Sequence, residues 1–429
     1  MNDYRKLELQ RNANHKKEEY KYFVGTTEKD PLSYAAGEKI VFKLRAKFMD
    51  GYLDVPFVKY SLLTEDGQSE EGVKACAEDG FFYIEGSISK EGFVYLKAQA
   101  CDEKKRPIAD IEPFNGSAGA DIDRIVSSTK MPADYADFWS SMKSAAEQTA
   151  HEVLFSKKIE DERYPGFEML DMHIKAPGSE YASVSVAYPK DAKEGSLKFA
   201  MFFQGYSVLP TCPMPRDGYL TVSVNGHAMP NGESDAFYQD LREHALKGYG
   251  FNAEENKRPE TCYFAKMLLR DLAALYHFKD HALLNKKDYV FVGSSQGGMQ
   301  ACNMAAHFEK ATAAILNVPW LADIYGDELA GRRKNSMPKG NGLPYFDTAI
   351  AGSLLKCPAL IISGLGDTTC NPCTQLALFH AIRSPKYIEF YQNKVHSCSI
   401  PWDNNVSAMG EKSVADLYAD LSRMYYDWN

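Results

Sequence analysis

The sequence predicts a two-domain α/β protein. A small N-terminal β-sandwich, residues 1–125, precedes a larger domain, residues 126–429, built on a mostly parallel sheet with helices on both faces. Three observations predict it. Between Tyr34 and Lys97 the hydrophobic period is two, with no helical pattern. From Met131 onward, apolar strand-like runs alternate with helical ones. Finally, "YVFVGSSQGGMQACNMAA", Tyr289 to Ala306, stops a β-branched run at Gly-Ser-Ser-Gln-Gly-Gly and opens a small-residue helix.

The length of 429 residues exceeds the roughly 250–300 at which one core stops growing. Hydrophobic residues at 45% and charged residues at 25% are those of an ordinary globular chain. A formal charge of −9 argues against a broad nucleic-acid footprint. The opening "MNDYRKLELQRNANHKKEEYKYF" has no apolar h-region, and no run of about 18 apolar residues offers a membrane span. Nine scattered cysteines, among them Cys302 and Cys357 inside apolar runs, fit reduced thiols and a cytoplasmic setting. The pair Cys370-Asn-Pro-Cys373 has C-x-x-C spacing, but neither a thioredoxin context nor a second ligand pair accompanies it, so it is read as coincidence.

Taken in order, residues up to about Asp30 are polar and read as an arm or irregular lead-in. The segments "EKIVFKLRAKF", "VKYSLLTEDGQ", "FFYIEGSI" and "GFVYLKAQA" alternate as short strands, with Asp-Gly turn signals at Asp50, Asp66 and Asp79. Their even spacing predicts the sandwich, which holds no His, Cys or carboxylate cluster and is read as accessory. "EPFNGSAGADID" reads as a loop. "MPADYADFWSSMKSAAEQTA" has helical spacing, Pro132 near its start, and Phe138 and Trp139 as core anchors. The strands "ASVSVAYP", "KFAMFFQG" and "YLTVSVNG" then lead to the helix "YFAKMLLRDLAALYHF" and the strand "DYVFVGSS". The helix "GMQACNMAAHF", the strands "TAAILNVP" and "PALIISGLGD", the helix "TQLALFHAI" and the strand "KYIEFYQN" follow. In such sheets reactive groups gather at the carboxyl ends of the strands.

Gly293-Ser294-Ser295-Gln296-Gly297 matches the nucleophile elbow G-x-S-x-G, whose strained turn needs small neighbours. By composition the bare pattern occurs by chance in about one chain in seven of this length, so its context must decide. An acyl-transfer serine needs a base, a carboxylate to orient that base, and N–H donors for the oxyanion. The α/β-hydrolase chain order is Ser, acid, His. Asp367, after "PALIISGLG", and His396, after "KYIEFYQNKV", complete that order at strand ends. Singly, Asp367 reads as a turn or N-cap aspartate and His396 as a loop histidine; with Ser295 upstream they read as a triad. Asp323, in "NVPWLADI", is the alternative acid, one strand too early. The oxyanion donors are the backbone N–H groups of Gln296 and of Tyr206 in "FFQGYS", where Gly205 is read as permitting the close turn.

"FQGYS", "GSSQGGMQA", "NVPW", "CPALIISGLGDTTCNP" and "YQNKVHS" resemble, in order and spacing, the acetyl xylan esterase / cephalosporin C deacetylase family of α/β-hydrolases. "PADYADFW" resembles the entry helix of that family's catalytic domain, and the likeness runs from about Met131 to the C-terminus. The resemblance implies removal of acetyl groups from sugars or small alcohols by a serine mechanism with no metal and no cofactor. It implies Ser295 as nucleophile, Asp367 and His396 as its partners, and Tyr206 and Gln296 as oxyanion donors. Two stretches depart from the family pattern: Asn225-Gly226-His227 stands where the family has Arg-Gly-Gln, and His396-Ser397 where it has His-Glu. His227 reads equally as a pocket or a loop-capping residue, and Trp320 as an acyl-pocket wall or a core tryptophan.

The expected chemistry is a two-step acyl transfer on a small acetylated sugar, with no nucleic-acid or membrane partner and a homo-oligomer left open. A histidine base must be neutral, so activity should fall below about pH 6–7. The rivals are another hydrolase on the same fold, an aminoacyl peptidase or dienelactone-type enzyme, and a non-catalytic glycan-binding scaffold.

Overall fold

The computed structural model describes residues 21–178, 180–333, 336–396 and 406–416. The first strands are β1 (Lys21–Thr27), β2 (Ile40–Phe48), β3 (Gly51–Tyr52), β4 (Phe57–Thr64) and β5 (Ser69–Ala75). They are followed by β6 (Phe82–Gly86), β7 (Gly92–Cys101), β8 (Ile111–Glu112) and β9 (Phe114–Ala120). One sheet runs β3-β2-β1-β8 with β6 also on β2; the other runs β5-β4-β7-β9. The two sheets enclose a core of Phe23, Phe42, Leu44, Val58, Phe82, Leu96 and Phe114.

Two expectations are corrected here. The polar lead-in ends earlier than expected, because Tyr22 and Phe23 are buried and Lys21–Thr27 pairs antiparallel with β2. "FNGSAGA", read as a loop, is the strand β9 paired along β7. Its glycines are spatial: a Cβ on Gly116 would overlap the Gln392 side chain, and one on Gly119 would meet Ile122 and Phe93. A strand of small residues lets the following domain approach this closely, and that composition imitates a loop.

The second sheet contains β10 (Val153–Lys158), β11 (Phe167–Ala176), β12 (Glu180–Pro189), β13 (Leu197–Phe203) and β14 (Tyr219–Val224). It continues with β15 (Leu284–Ser294), β16 (Ala313–Asn317), β17 (Ala359–Gly364), β18 (Lys386–Tyr391) and β19 (Val406–Gly410). Its order is β10-β11-β12-β14-β13-β15-β16-β17-β18-β19. The run from β14 to β18 is parallel, and β10, β11, β12 and β19 are antiparallel at the flanks. The antiparallel pair β10–β11 was not anticipated; β10 is exposed along its whole length and lacks the apolar signal of a buried strand.

Alternation sorts the central strands. Phe199, Met201, Phe203, Tyr289, Phe291 and Leu316 point to one face, and Ala200, Phe202, Val290, Val292 and Ile315 to the other. Both faces are buried, which is why these strands read as continuous apolar runs. The helix Tyr263–Phe278 buries eleven of its residues against the first face. Trp139, on the helix Tyr135–Thr149, is buried, donates Nε1–H to the Tyr345 carbonyl at 3.0 Å, and stacks on His307 at 3.7 Å. Strand β7 joins the two parts: Val94 and Leu96 face the sandwich core, whereas Phe93 and Tyr95 belong to the larger core.

Candidate active site

Ser295 caps the helix Gln296–His307 directly after β15 and sits at φ 54°, ψ −118°, a left-handed value unusual for a residue with a Cβ. Three contacts hold it there. Its N–H donates to Asn317 O at 2.9 Å, and its carbonyl accepts from Trp320 N at 2.9 Å and Met299 N at 3.2 Å. The flanking glycines are required by space. A Cβ on Gly293 would overlap the Gly297 carbonyl, and one on Gly297 would overlap the Phe203 carbonyl at the end of β13. On Gly298 a Cβ would lie 2.8 Å from Pro319 Cα.

Past β17, Asp367 is fully buried and divides its carboxylate between two tasks. Oδ1 accepts from Thr369 N at 2.8 Å and Cys370 N at 2.9 Å, closing the turn that precedes the helix Pro372–Ala381. Oδ2 lies 2.8 Å from His396 Nδ1, and His396 Nε2 lies 3.0 Å from Ser295 Oγ. Since a carboxylate can only accept, Nδ1 carries the proton and Nε2 is left to accept from the serine hydroxyl. The turn reading and the triad reading of Asp367 therefore describe the same side chain. The His396 side chain is 28% exposed, so the chain of bonds runs from solvent to a buried charge. Asp323, the alternative acid, is engaged elsewhere. Its Oδ1 accepts from Ser128 N and Thr129 N at 2.6 and 2.9 Å, and its Oδ2 pairs with Arg332.

The loop after β13 brings Tyr206 beside the elbow. Gly205 does not have a left-handed φ, and a Cβ there would make ordinary contacts with Ser294 O at 3.6 Å and Ser295 Cβ at 3.7 Å. The turn thus does not need glycine for its conformation, contrary to expectation; the missing side chain leaves space beside Ser295. Among the described residues, neither the Tyr206 nor the Gln296 backbone N–H meets an acceptor within the protein. The Tyr206 ring stacks on Tyr249 at 4.2 Å and packs edge-on against Phe251 at 5.8 Å.

His227 caps that loop. Its Nε2 lies 2.8 Å from the Ser207 carbonyl and its Nδ1 2.5 Å from the Tyr263 hydroxyl. The carbonyl can only accept, so Nε2 bears the proton and Nδ1 accepts from Tyr263. Burial, with the Arg270 charge nearby, pushes the imidazole down to about 4, leaving it neutral. Trp320 is half-buried; it packs edge-on against Phe264 and stacks with Phe251 at 6.0 Å along a cavity wall. Ser397 lies outside the described residues.

Cys370 was missed as a neighbour of the site. Its buried thiol lies within 4.8 Å of the Asp367 and His396 polar atoms, and burial pushes it well above the usual thiol range. Cys373 is also a free, buried thiol. Asp367, Cys370 and His396 offer ligand atoms within 4.8 Å of one another, so a soft cation could be held there. The Asp367–His396 hydrogen bond already occupies two of those atoms.

The acid and base loops are zipped together and braced by the sandwich. Leu365 N donates to Tyr391 O at 2.9 Å and Gly366 N to Lys394 O at 3.1 Å. Ser117 Oγ donates to Leu365 O at 2.6 Å, Gln392 Nε2 to Ser117 O at 2.9 Å, and Asn393 Nδ2 to Phe23 O at 3.0 Å. A Cβ on Gly366 would overlap the Asn115 carbonyl.

A serine on a strained strand-to-helix turn, facing a histidine and a buried aspartate from later strand ends, defines an α/β-hydrolase. A family model for acetyl xylan esterase (AXE1) matches residues 120–326 and 328–409, well over half of the chain, and the chain belongs to that family. The acetyl esterase Axe7A of Xylanibacter ruminicola is 22% identical over 275 residues, 60% of this chain and 62% of that protein. The chain thus spans less than two thirds of the curated relative it matches. The acetyl xylan esterase from Paenibacillus sp. R4 superposes with a TM-score of 0.52 at 18% identity, covering 64% of this chain and 93% of its own. Acetyl xylan esterase 1 from Thermoanaerobacterium sp. JW/SL YS485 gives 0.50 at 17% identity, covering 71% and 98%. These two likenesses carry the fold.

Proposed function

We propose that the chain is a serine esterase that removes O-acetyl groups from acetylated carbohydrates, xylo-oligosaccharides foremost, through an acetyl-serine intermediate. The observation that carries the reading is the hydrogen-bonded chain Ser295–His396–Asp367, within a family of acetyl xylan esterases. Ser295 Oγ attacks the ester carbonyl as its proton passes to His396 Nε2. Asp367 Oδ2 fixes the tautomer and stabilises the imidazolium. The developing oxyanion is received by the Tyr206 and Gln296 N–H groups, which have no protein acceptor to give up. His396 then returns the proton to the departing sugar oxygen, and water, deprotonated by the same Nε2, releases acetate. Acetyl esters of other small alcohols, cephalosporin C among them, present the same carbonyl to the same groups. Eight free cysteines among the described residues support a reducing, cytoplasmic setting. No described helix is long and apolar enough to cross a membrane.

Acetate release from 4-nitrophenyl acetate and from acetylated xylo-oligosaccharides tests the proposal, with Ser295→Ala as control. Release from both by wild type, and loss of at least about 10⁴-fold in the variant, is the expected result. Activity of Ser295→Ala equal to wild type would refute the assignment.

A further inference from the structure

Beside the triad lies a cavity of about 270 Å³ whose use the deacetylation chemistry does not explain. Its aromatic wall is Phe251 and Trp320, each one contact from the reaction centre. Phe251 packs on Tyr206, and the Trp320 N–H binds the Ser295 carbonyl. Thr368 and Thr369, immediately after Asp367, and Asn371 add polar groups to the lining. Aromatic faces with hydroxyl and amide groups between them suit a sugar ring.

The charges of the cavity are matched with one exception. Asp323 is paired with Arg332, and Asp327 with Lys339. Arg333 lies with its guanidinium over the Tyr95 ring at 5.3 Å, and among the described residues its buried Nη1 meets no acceptor. Glu65 is close enough for the Arg333 charge to act on it, but its two oxygens are engaged by other donors. One Glu65 oxygen accepts the Arg333 backbone N–H at 3.0 Å, and the other accepts from Tyr95 OH at 2.7 Å. Burial also pushes the Glu65 carboxyl up, toward its neutral form. Arg333 lines the cavity, and a guanidinium is the donor set that planar carboxylates fill.

We propose that this cavity is a carboxylate subsite, so that the acetylated carbohydrate this enzyme prefers carries a uronic acid, bound by Arg333 while its sugar ring rests on Phe251 and Trp320. The inference rests on the esterase reading above and narrows its substrate class. The chain as a whole carries −9, so an anionic sugar is repelled overall and gains at this cavity.

The test compares kcat/KM for two acetylated xylo-oligosaccharides of equal length, one with a single uronate branch and one without, in wild type, Arg333→Gln and Arg333→Lys. Wild type should favour the acidic substrate by about ten- to a hundredfold, the worth of a charge-assisted hydrogen bond. Arg333→Gln should bring the ratio to near one, and Arg333→Lys should leave it intermediate. Because the ratio is taken within one protein preparation, partial misfolding cancels. A wild-type ratio near one, or an unchanged ratio in Arg333→Gln, overturns the subsite while neutral-substrate and 4-nitrophenyl acetate turnover leave the esterase reading standing. No turnover of any acetyl ester overturns both.

Discussion

Replacing His227 with glutamine should flatten the acid side of the protein's stability profile. The imidazole is 1% exposed, donates from Nε2 to Ser207 O, and accepts at Nδ1 from Tyr263. Protonating Nδ1 would place a charge in a buried site, with the Arg270 charge adding repulsion. The folded-state value is accordingly about 4, against an ordinary 6.5. Above the ordinary value both states are neutral and His227 contributes no pH dependence. Between 6.5 and 4 the unfolded chain binds a proton that the folded chain refuses, so stability falls as pH falls. Each pH unit in that window costs about 1.4 kcal/mol, which makes the loss about 2 kcal/mol between neutrality and pH 5. Glutamine can offer an N–H to Ser207 and an oxygen to Tyr263 but cannot titrate. The assay is denaturant unfolding of both proteins at pH 7.5 and pH 5.0, followed by tryptophan fluorescence. Other groups, such as the buried His307 pushed down to about 3, act equally in both and cancel in the difference. Wild type should lose about 2 kcal/mol more than the variant. Parallel losses, within about 0.5 kcal/mol, would refute a neutral, proton-refusing His227.

Asp367→Asn keeps an oxygen for the Thr369 and Cys370 N–H groups, so the variant should unfold near the wild-type midpoint. Its amide no longer fixes the His396 tautomer, and kcat should fall by about 10⁴-fold in the 4-nitrophenyl acetate assay. Gly366→Ala forces a methyl into the Asn115 carbonyl, and the acid loop must move. A displacement on the order of 1 Å should lower kcat by about 10²-fold, and wild-type kcat in a folded variant would show that the sandwich does not constrain that loop.

The parallel sheet was legible because both faces of its central strands are buried, so the buried stretches of β13, β15, β16 and β17 appear as apolar runs. Strands that lie at edges or against another domain escaped that signal. β10 is exposed throughout, and β9 is written in Gly, Ser and Ala because the Gln392 loop rests on it. The elbow was legible because its glycines answer to backbone carbonyls within a few ångströms, a constraint that leaves a visible residue pattern. Ser295 and His396 stand 101 residues apart, and what selects the histidine is its place just past a strand end. Glu65 and Arg333 left no pattern, since they meet across distant elements: Arg333 N meets Glu65 across 268 positions of the chain.

That long-range pairing bears on the role of the sandwich. Leu365-Gly366 and Gln392-Asn393-Lys394 are loop segments, and a strained arrangement survives on loops only where other contacts over-determine them. The structure supplies those contacts largely from the first domain. Phe23 and Ser117 receive Asn393 and Gln392, Ser117 holds Leu365, and the Ile125 carbonyl binds His380 Nδ1 at 2.6 Å. Buried side chain–backbone bonds of this kind contribute about 0.5–1.5 kcal/mol each, and losing one strands a buried partner at a further cost. Among its described residues, the sandwich places no hydrogen-bonding side chain on the Ser295, His396 or Asp367 side chains. It sets where Asp367 and His396 stand relative to Ser295, and through Glu65 and Tyr95 it also sets where Arg333 stands beside them. A domain joined by a tether would leave those positions to the loops alone; this one shares β7 between its own core and the core beneath Ser295, Asp367 and His396.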